Sequence, residues 1–151
     1  MPTGGMPSLA ALNITISLRL HERAHGGGYA IGDNAGFIVD LPHRESFSPD
    51  VAWWTGAVTM KFFDDAPAFA VEVRSESDYG KTAETEMAAK RDDYFAAGTL
   101  VVWDVDLQSD DVVRVYRADA PEQPVIYRRG EIAEAEPAVP GWRFPVDELF
   151  Q

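Results

Sequence analysis

Apolar residues recur at helical spacing in two stretches of the chain. The first predicted helix begins at Ser8, a residue type favoured at helix N-termini, and ends at the glycines 26–28. Its expected core stripe consists of Leu9, Leu12, Ile16 and Leu20. The second predicted helix spans residues 82–97 and is closed by Gly98, because glycine readily adopts the backbone conformation that ends a helix.

Short apolar runs bounded by turn residues predict the strands. They span residues 29–31, 37–39, 50–55, 69–73, 100–103, 112–116 and 125–127. The first two are expected to form a hairpin, the last two to be edge strands, and residues 140–150 to pack along one sheet edge. The strand, helix and strand between residues 69 and 103 require parallel pairing through a right-handed crossover. The predicted class is α+β, or α/β with one parallel pair, built as a mixed β-sheet flanked by helices.

The composition fits one domain over residues 1–151 and restricts its setting. The chain has no cysteine, which excludes a disulfide framework and a thiol nucleophile. It has no apolar run long enough to span a membrane, and residues 1–10 do not resemble a signal peptide, so we expect a cytoplasmic protein. With 13 basic and 25 acidic residues the net charge is −12, which argues against a wide phosphate-binding surface.

Glu72 is a charged residue within an otherwise apolar strand. Side chains alternate along a strand, so Phe69, Val71 and Val73 face one side while Glu72 and Arg74 face the other. An ionised carboxylate in a core costs several kcal/mol unless it is paired or binds a metal ion. A structural ion pair with Arg74 is one solution, and a functional site is the other.

Lys90 and Asp50 are two further charges beside expected core positions. The apolar stripe of the second helix consists of Ala83, Met87, Tyr94 and Ala97, and Lys90 falls in its middle. Lys90 either extends to solvent or points at the sheet, toward Glu72. Asp50 begins the strand 50–55. Two carboxylates from adjacent strands and one lysine form a recurrent arrangement for holding Mg²⁺ beside a phosphate.

Several short segments occur together in a recognisable order. They are Pro-Asp-Val-Ala at 49–52, Phe-Ala-Val-Glu-Val-Arg-Ser at 69–75, Lys90 with Tyr94 and Gly98, Val-Trp-Asp at 102–104, and residues 140–150. This set resembles the Uma family of restriction-endonuclease-like proteins, in the PD-(D/E)XK nuclease superfamily, over nearly the whole chain. The resemblance implies a restriction-endonuclease-like core and metal-dependent hydrolysis of DNA phosphodiester bonds. It also implies that Asp50, Glu72 and the Val73 carbonyl bind Mg²⁺ or Mn²⁺.

One position departs from the superfamily pattern. The pattern places lysine two residues after the acid, where this chain has Arg74, and arginine is a poor general base because it stays protonated. We therefore expect Lys90 to complete the catalytic set with Asp50 and Glu72, and Arg74 to contact phosphate or serve structure. Asp104 and Tyr94 are expected to support the site from behind, although Asp104 fits a turn equally well. A catalytically inactive, nuclease-like domain that acts through protein contacts is the alternative function.

A second motif points to different chemistry. His21-Glu22-Arg23-Ala24-His25 matches the zinc-protease pattern H-E-x-x-H, in which two histidines bind Zn²⁺ and the glutamate is the general base. The continuation H-x-x-G-x-x-H, which would supply a third histidine ligand, is absent, and three glycines end the helix directly afterwards. We therefore favour the nuclease-like site.

Two partners are predicted. DNA binding is expected to be weak and dependent on metal and salt, with local positive charge from Lys90, Arg74, Lys81 and Arg91. The second partner is another copy of the chain. Because Ile14 and Leu18 lie opposite the expected core stripe of the first helix, their face is the expected homodimer contact.

Overall fold

The computed structural model describes residues 2–151, which form two α-helices, ten strands and one short 3-10 helix. The helices are α1 (Gly5–His25), α2 (Lys81–Ala96) and the 3-10 helix Val146–Phe150. The strands are β1 (Tyr29–Ile31), β2 (Phe37–Leu41), β3 (Arg44–Phe47), β4 (Val51–Trp54), β5 (Phe69–Val73), β6 (Val101–Val105), β7 (Val113–Arg117), β8 (Ala120–Tyr127), β9 (Ile132–Ala133) and β10 (Phe144–Pro145).

A six-stranded mixed sheet with the order β1-β4-β5-β6-β7-β8 is the centre of the molecule. Within it β5 and β6 pair in parallel, and the other neighbours are antiparallel. The parallel pair is joined through α2, as a crossover connection requires. The predicted fold class, a mixed sheet flanked by helices, is confirmed.

The sheet is covered differently on its two faces. Phe69 and Val71 pack with α1 and with the C-terminal segment around Trp142, whereas Ala70 packs with Tyr94 of α2 and Phe47 of β3. This division follows the alternation of side chains along β5. Glu72 shares a face with Ala70, so it lies on the α2 side of the sheet.

The face of α1 that packs on the sheet is opposite to the predicted one. Ala10, Ile14 and Leu18 are fully buried, whereas the predicted core stripe of Leu9, Leu12, Ile16 and Leu20 is about half exposed. The sequence pattern was ambiguous because α1 carries apolar residues on both faces. The C-terminal segment decides between them, since Trp142 donates a hydrogen bond to Ser17 on the Ile14 face at 3.0 Å. A homodimer contact through Ile14 and Leu18 is therefore wrong.

Two strand predictions need correction near the first helix. The expected hairpin of residues 29–31 with 37–39 does not form, because β1 pairs with β4 and β2 pairs with β3. Strand β3 lies in a stretch expected to be a loop. Leu41 pairs with Arg44, so the reversal occurs at Pro42 and His43, and proline suits such a turn because its φ is already fixed.

The C-terminal half also differs from the prediction in two places. Strand β7 is not an edge strand, because it pairs with both β6 and β8. The edge strand β8 begins before the predicted strand 125–127 and includes Pro121 and Pro124. An edge tolerates proline because one side needs no ladder hydrogen bonds. Residues 140–150 cover a face of the sheet beside α1 rather than an edge, and Asn13 of α1 donates to the Glu148 carbonyl at 2.9 Å.

Neither α1 nor α2, within the described residues, is long and apolar enough to cross a membrane.

The orientation of α1 gives a first prediction. Ile14→Ala should lower the free energy of unfolding by about 2–5 kcal/mol, because it leaves a cavity in a fully buried site. The matched control Ile132→Ala, at a side chain that is 55% exposed, should change it by less than about 1 kcal/mol. Urea unfolding monitored by circular dichroism measures both. Equal effects of the two substitutions would contradict the buried position of Ile14.

Candidate active site

Glu72 is held by two side chains from one face of α2. Its Oε1 accepts a hydrogen bond from Lys90 Nζ at 2.7 Å, and its Oε2 accepts one from the Tyr94 hydroxyl at 2.8 Å. Lys90 and Tyr94 are four residues apart, so they lie one above the other on the helix surface. The structure therefore brings together Glu72, Lys90 and Tyr94, and Lys90 points at the sheet rather than to solvent.

Tyr94 is fixed by burial and stacking. Its side chain is fully buried, and its ring stacks on Phe47 of β3 with ring centroids 4.0 Å apart. Burial first, and then the nearby Glu72 carboxylate, raise the pKa of Tyr94 well above its usual value. The hydroxyl thus stays protonated and can only donate to Glu72.

Asp50 lies immediately before β4 and next to the end of β5. Its Oδ2 accepts a hydrogen bond from the backbone N–H of Val73 at 2.7 Å. Burial first, and then repulsion from Glu72, raise the pKa of Asp50 to about 6; the hydrogen bond from Val73 acts in the opposite direction. Because β4 and β5 pair antiparallel with Val51 opposite Val71, Asp50 and Glu72 come side by side at this end of the pair.

The donor set at this strand end fits a hard divalent cation. Asp50 and Glu72 carry carboxylate oxygens at this end of the β4–β5 pair, and the backbone N–H of Val73 contacts Asp50. In the part of the chain from residue 2 onward, no group of three or more His, Cys, Asp or Glu side chains has the geometry to hold a metal. Mg²⁺ does not need such a cluster, since it is usually bound through one or two carboxylates and several waters. A cation there would also offset the repulsion between Asp50 and Glu72.

Two cavities approach this strand end from different sides. One of about 380 Å³ lies between α2 and the sheet, and Glu72 and Lys90 are among its lining residues. The other, of about 220 Å³, lies beside α1 and is lined in part by Asp50 and Leu12. Val73 lines both cavities. The larger cavity is the one that could admit a substrate to Lys90.

Arg74 is bound by carboxylates of the protein itself. Its Nε and Nη2 each donate to Asp104 at 2.8 Å, and it also pairs with Glu84 of α2. The side chain is almost fully buried, and the hydrogen bonds to Asp104 are the main reason that its pKa is raised above the usual value. The alternative in which Glu72 pairs with Arg74 is wrong, because each has other partners. Arg74 ties the end of β5 to β6 and to α2.

The network around Arg74 extends along the sheet. Asp104 lies on β6 directly beside Glu72 in the strand register, so it stands behind the site rather than in a turn. Asp106, which follows β6, accepts a hydrogen bond from Tyr79 at 2.7 Å, and Arg114 lies within 4 Å of both aspartates. Sequence reasoning missed Asp106 and Arg114. The available signal was the spacing of two residues, which puts side chains on one face of an extended chain. Asp104 and Asp106 have this spacing at the end of β6, and Arg114 and Tyr116 have it on β7.

The H-E-x-x-H motif does not form a zinc-protease site in residues 2–151. His21 and His25 lie side by side with ring centroids 4.8 Å apart, but they belong to no group of three metal-holding side chains. Glu22 is already engaged, because it accepts a hydrogen bond from the Ala30 backbone at 2.8 Å and pairs with Arg19. A general base must be free to reach substrate, so the motif here serves to join α1 to β1.

Comparisons with known proteins bear on the family and the fold of this chain. A family model described as "Putative restriction endonuclease", Uma2, matches residues 1–147. A solved structure, described as a putative nuclease belonging to DUF820 from Anabaena variabilis ATCC 29413, is similar with a TM-score of 0.75. The sequences are 18% identical, and the match covers 99% of this chain and 82% of that one. No curated protein matches the chain. The structural likeness shows the fold, and the family match, which spans almost the whole chain, shows that this protein belongs to the Uma2 family of restriction-endonuclease-like proteins.

Proposed function

We propose that the protein is a divalent-metal-dependent endonuclease that hydrolyses phosphodiester bonds of DNA. The observation that carries this proposal is the hydrogen-bonded group of Glu72, Lys90 and Tyr94 beside the raised-pKa carboxyl of Asp50. Asp50 and Tyr94 both have raised pKa values, and shifted pKa values among neighbouring ionisable groups are typical of catalytic sites. The family description and the nuclease neighbour support the same class of activity.

Asp50, Glu72 and the Val73 carbonyl would bind Mg²⁺ or Mn²⁺. When bound, such an ion lowers the pKa of a coordinated water and neutralises charge that develops on the phosphoryl oxygens. The chain's own residues prepare this site. Tyr94 and Lys90 orient the Glu72 carboxylate, and the Val73 N–H orients Asp50.

Lys90 supplies the positive charge that the superfamily pattern places two residues after the acid. Its ammonium is hydrogen-bonded to the Glu72 carboxylate and its side chain lines the 380 Å³ cavity, so a phosphate in the cavity could contact it. Arg74 cannot take this role in the observed arrangement, since Asp104 and Glu84 occupy its donors. We assign Arg74 a structural function and Lys90 the contact with the attacked phosphate or the nucleophile.

DNA is expected to bind weakly. The net charge of −12 repels a polyanion over most of the surface, so the local cations and the metal must supply the attraction. We also expect the protein to act as a homodimer and to reside in the cytoplasm.

An inactive, nuclease-like binding domain is the second candidate. The acidic surface and the neutralised Arg74 favour it. The pairing of Glu72 with Lys90 beside an open cavity favours catalysis instead, because both side chains remain partly exposed where a substrate could reach them. A folded wild-type protein that fails to cleave any DNA in Mg²⁺ or Mn²⁺ would decide for the binding domain.

Three near-isosteric substitutions test the catalytic assignment. Asp50→Asn, Glu72→Gln and Lys90→Gln should each lower the rate of Mn²⁺-dependent plasmid nicking by about 100-fold or more, because each removes a charge on which transition-state stabilisation depends. The matched control is Lys61→Gln, at an exposed lysine that is not one of the proposed site residues, which should leave the rate unchanged. Thermal unfolding confirms that each variant is folded. Nicking that persists in all three site variants would refute the assignment.

The raised pKa of Asp50 predicts the pH dependence of metal binding. Its pKa moves from 3.8 to about 6 in the folded protein, so ionising it destabilises the metal-free protein as pH rises through this interval. A cation binds the ionised form and offsets that cost. The increase in unfolding temperature caused by Mn²⁺ should therefore be small below pH about 6 and should grow above it.

Asp50→Asn is the control for this measurement, since an amide does not titrate. Differential scanning calorimetry of this variant should show no pH-dependent gain from Mn²⁺. A wild-type gain that is the same below and above pH about 6 would show that Asp50 is not a ligand.

A further inference from the structure

The outer face of α1 carries an apolar stripe that no described residue covers. The stripe consists of Met6, Leu9, Leu12, Ile16 and Leu20, whose side chains are between 49 and 62% exposed. Together they present an apolar surface on the order of 500 Å², near the upper limit of what soluble monomers leave uncovered. A standard interface buries about 800 Å² per partner, which the stripe approaches once its flanking residues are included.

Charge favours a second copy of this chain as the occupant. Residues 1–25 contain Arg19, Arg23 and Glu22 and have a net charge of +1. Because the whole chain has a net charge of −12, residues 26–151 have a net charge of −13. Two copies would repel each other over most of their surfaces. Residues 1–25 contribute none of that net negative charge, and the stripe contains no charged side chain. Burying the stripe against itself leaves no unpaired charge in the interface.

The spacing of the stripe is self-complementary. Its members follow one another at intervals of three, three, four and four residues, so the pattern nearly repeats when the helix is reversed about Asn13. An antiparallel pair with its two-fold axis there places Met6 opposite the partner's Leu20 and Leu9 opposite the partner's Ile16. The stripe spans about 21 Å at 1.5 Å per residue, so contact runs along most of the helix. A two-fold axis requires such an isologous surface.

We propose that the outer stripe of α1 is a homodimer interface in which α1 pairs antiparallel with α1 of a second copy. Leu12 belongs both to the stripe and to the wall of the cavity beside Asp50. The dimer would therefore place the partner at the rim of that cavity. The inference concerns assembly alone, so it holds or fails independently of catalysis.

The mass of the protein in solution tests the interface. Sedimentation equilibrium of the full chain should give twice the monomer mass in the micromolar range, and Leu9→Glu or Ile16→Glu should halve it by burying a charge at the contact. Val58→Glu is the matched control, at a side chain of similar exposure outside α1, and should remain dimeric. A monomeric wild-type chain overturns the proposal and leaves the stripe to a different protein. A dimer that persists in both stripe variants overturns it as well.

Cross-linking tests the antiparallel orientation without relying on those variants. The chain has no cysteine, so Leu9→Cys and Ile16→Cys each introduce a single thiol. After mild oxidation, a mixture of the two variants should form far more disulfide-linked dimer than either variant alone, because residue 9 faces the partner's residue 16. If each variant alone forms as much disulfide-linked dimer as the mixture does, residue 9 faces residue 9 and residue 16 faces residue 16. That result would indicate a parallel pair and contradict the proposed geometry.

Discussion

A carboxylate on a central strand is the constraint from which the arrangement of this protein follows. Glu72 sits among apolar neighbours on β5, and an ionised acid there needs partners that the strand itself does not offer. Helix α2 supplies them, because Lys90 and Tyr94 lie one turn apart and reach the two oxygens separately. The β2–β3 hairpin then packs Phe47 against Tyr94 and holds it in place. The crossover that joins the parallel strands is thus also the support of the site.

The same strand separates two kinds of positive charge. Arg74 follows Glu72 on the same face but forms paired hydrogen bonds with Asp104 on the neighbouring strand. Its positive charge is therefore neutralised by a carboxylate of the protein itself. A guanidinium suits this role because its planar fork matches a carboxylate. Lys90 keeps a single partner and borders an open cavity. The division explains how a chain with arginine at the usual lysine position retains a cation at the site.

Local patterns were enough to predict the central unit but not its surroundings. The alternation along β5 and the wheel of α2 placed Glu72 opposite Lys90, because both depend on residues close in sequence. The buried face of α1 could not be read in the same way, since Ile14 and Ile16 are equally apolar and the choice depends on Trp142, more than a hundred residues away. The partner of β1 and the pairing of Arg74 with Asp104 likewise depend on strand register, which the sequence of one strand does not contain. The family resemblance implied the metal ligands, and the register of β4 on β5 adds that Asp50 lies beside Glu72.

We propose that Asp50, Glu72 and the Val73 carbonyl form one cation site at the end of β5. A crystal soaked in Mn²⁺ and measured at the manganese absorption edge tests it most directly, since anomalous scattering locates the ion without assumptions about activity. The account predicts one strong peak in contact with carboxylate oxygens of both Asp50 and Glu72. A map with manganese elsewhere, or with none while Glu72 remains bound to Lys90 and Tyr94, would contradict it.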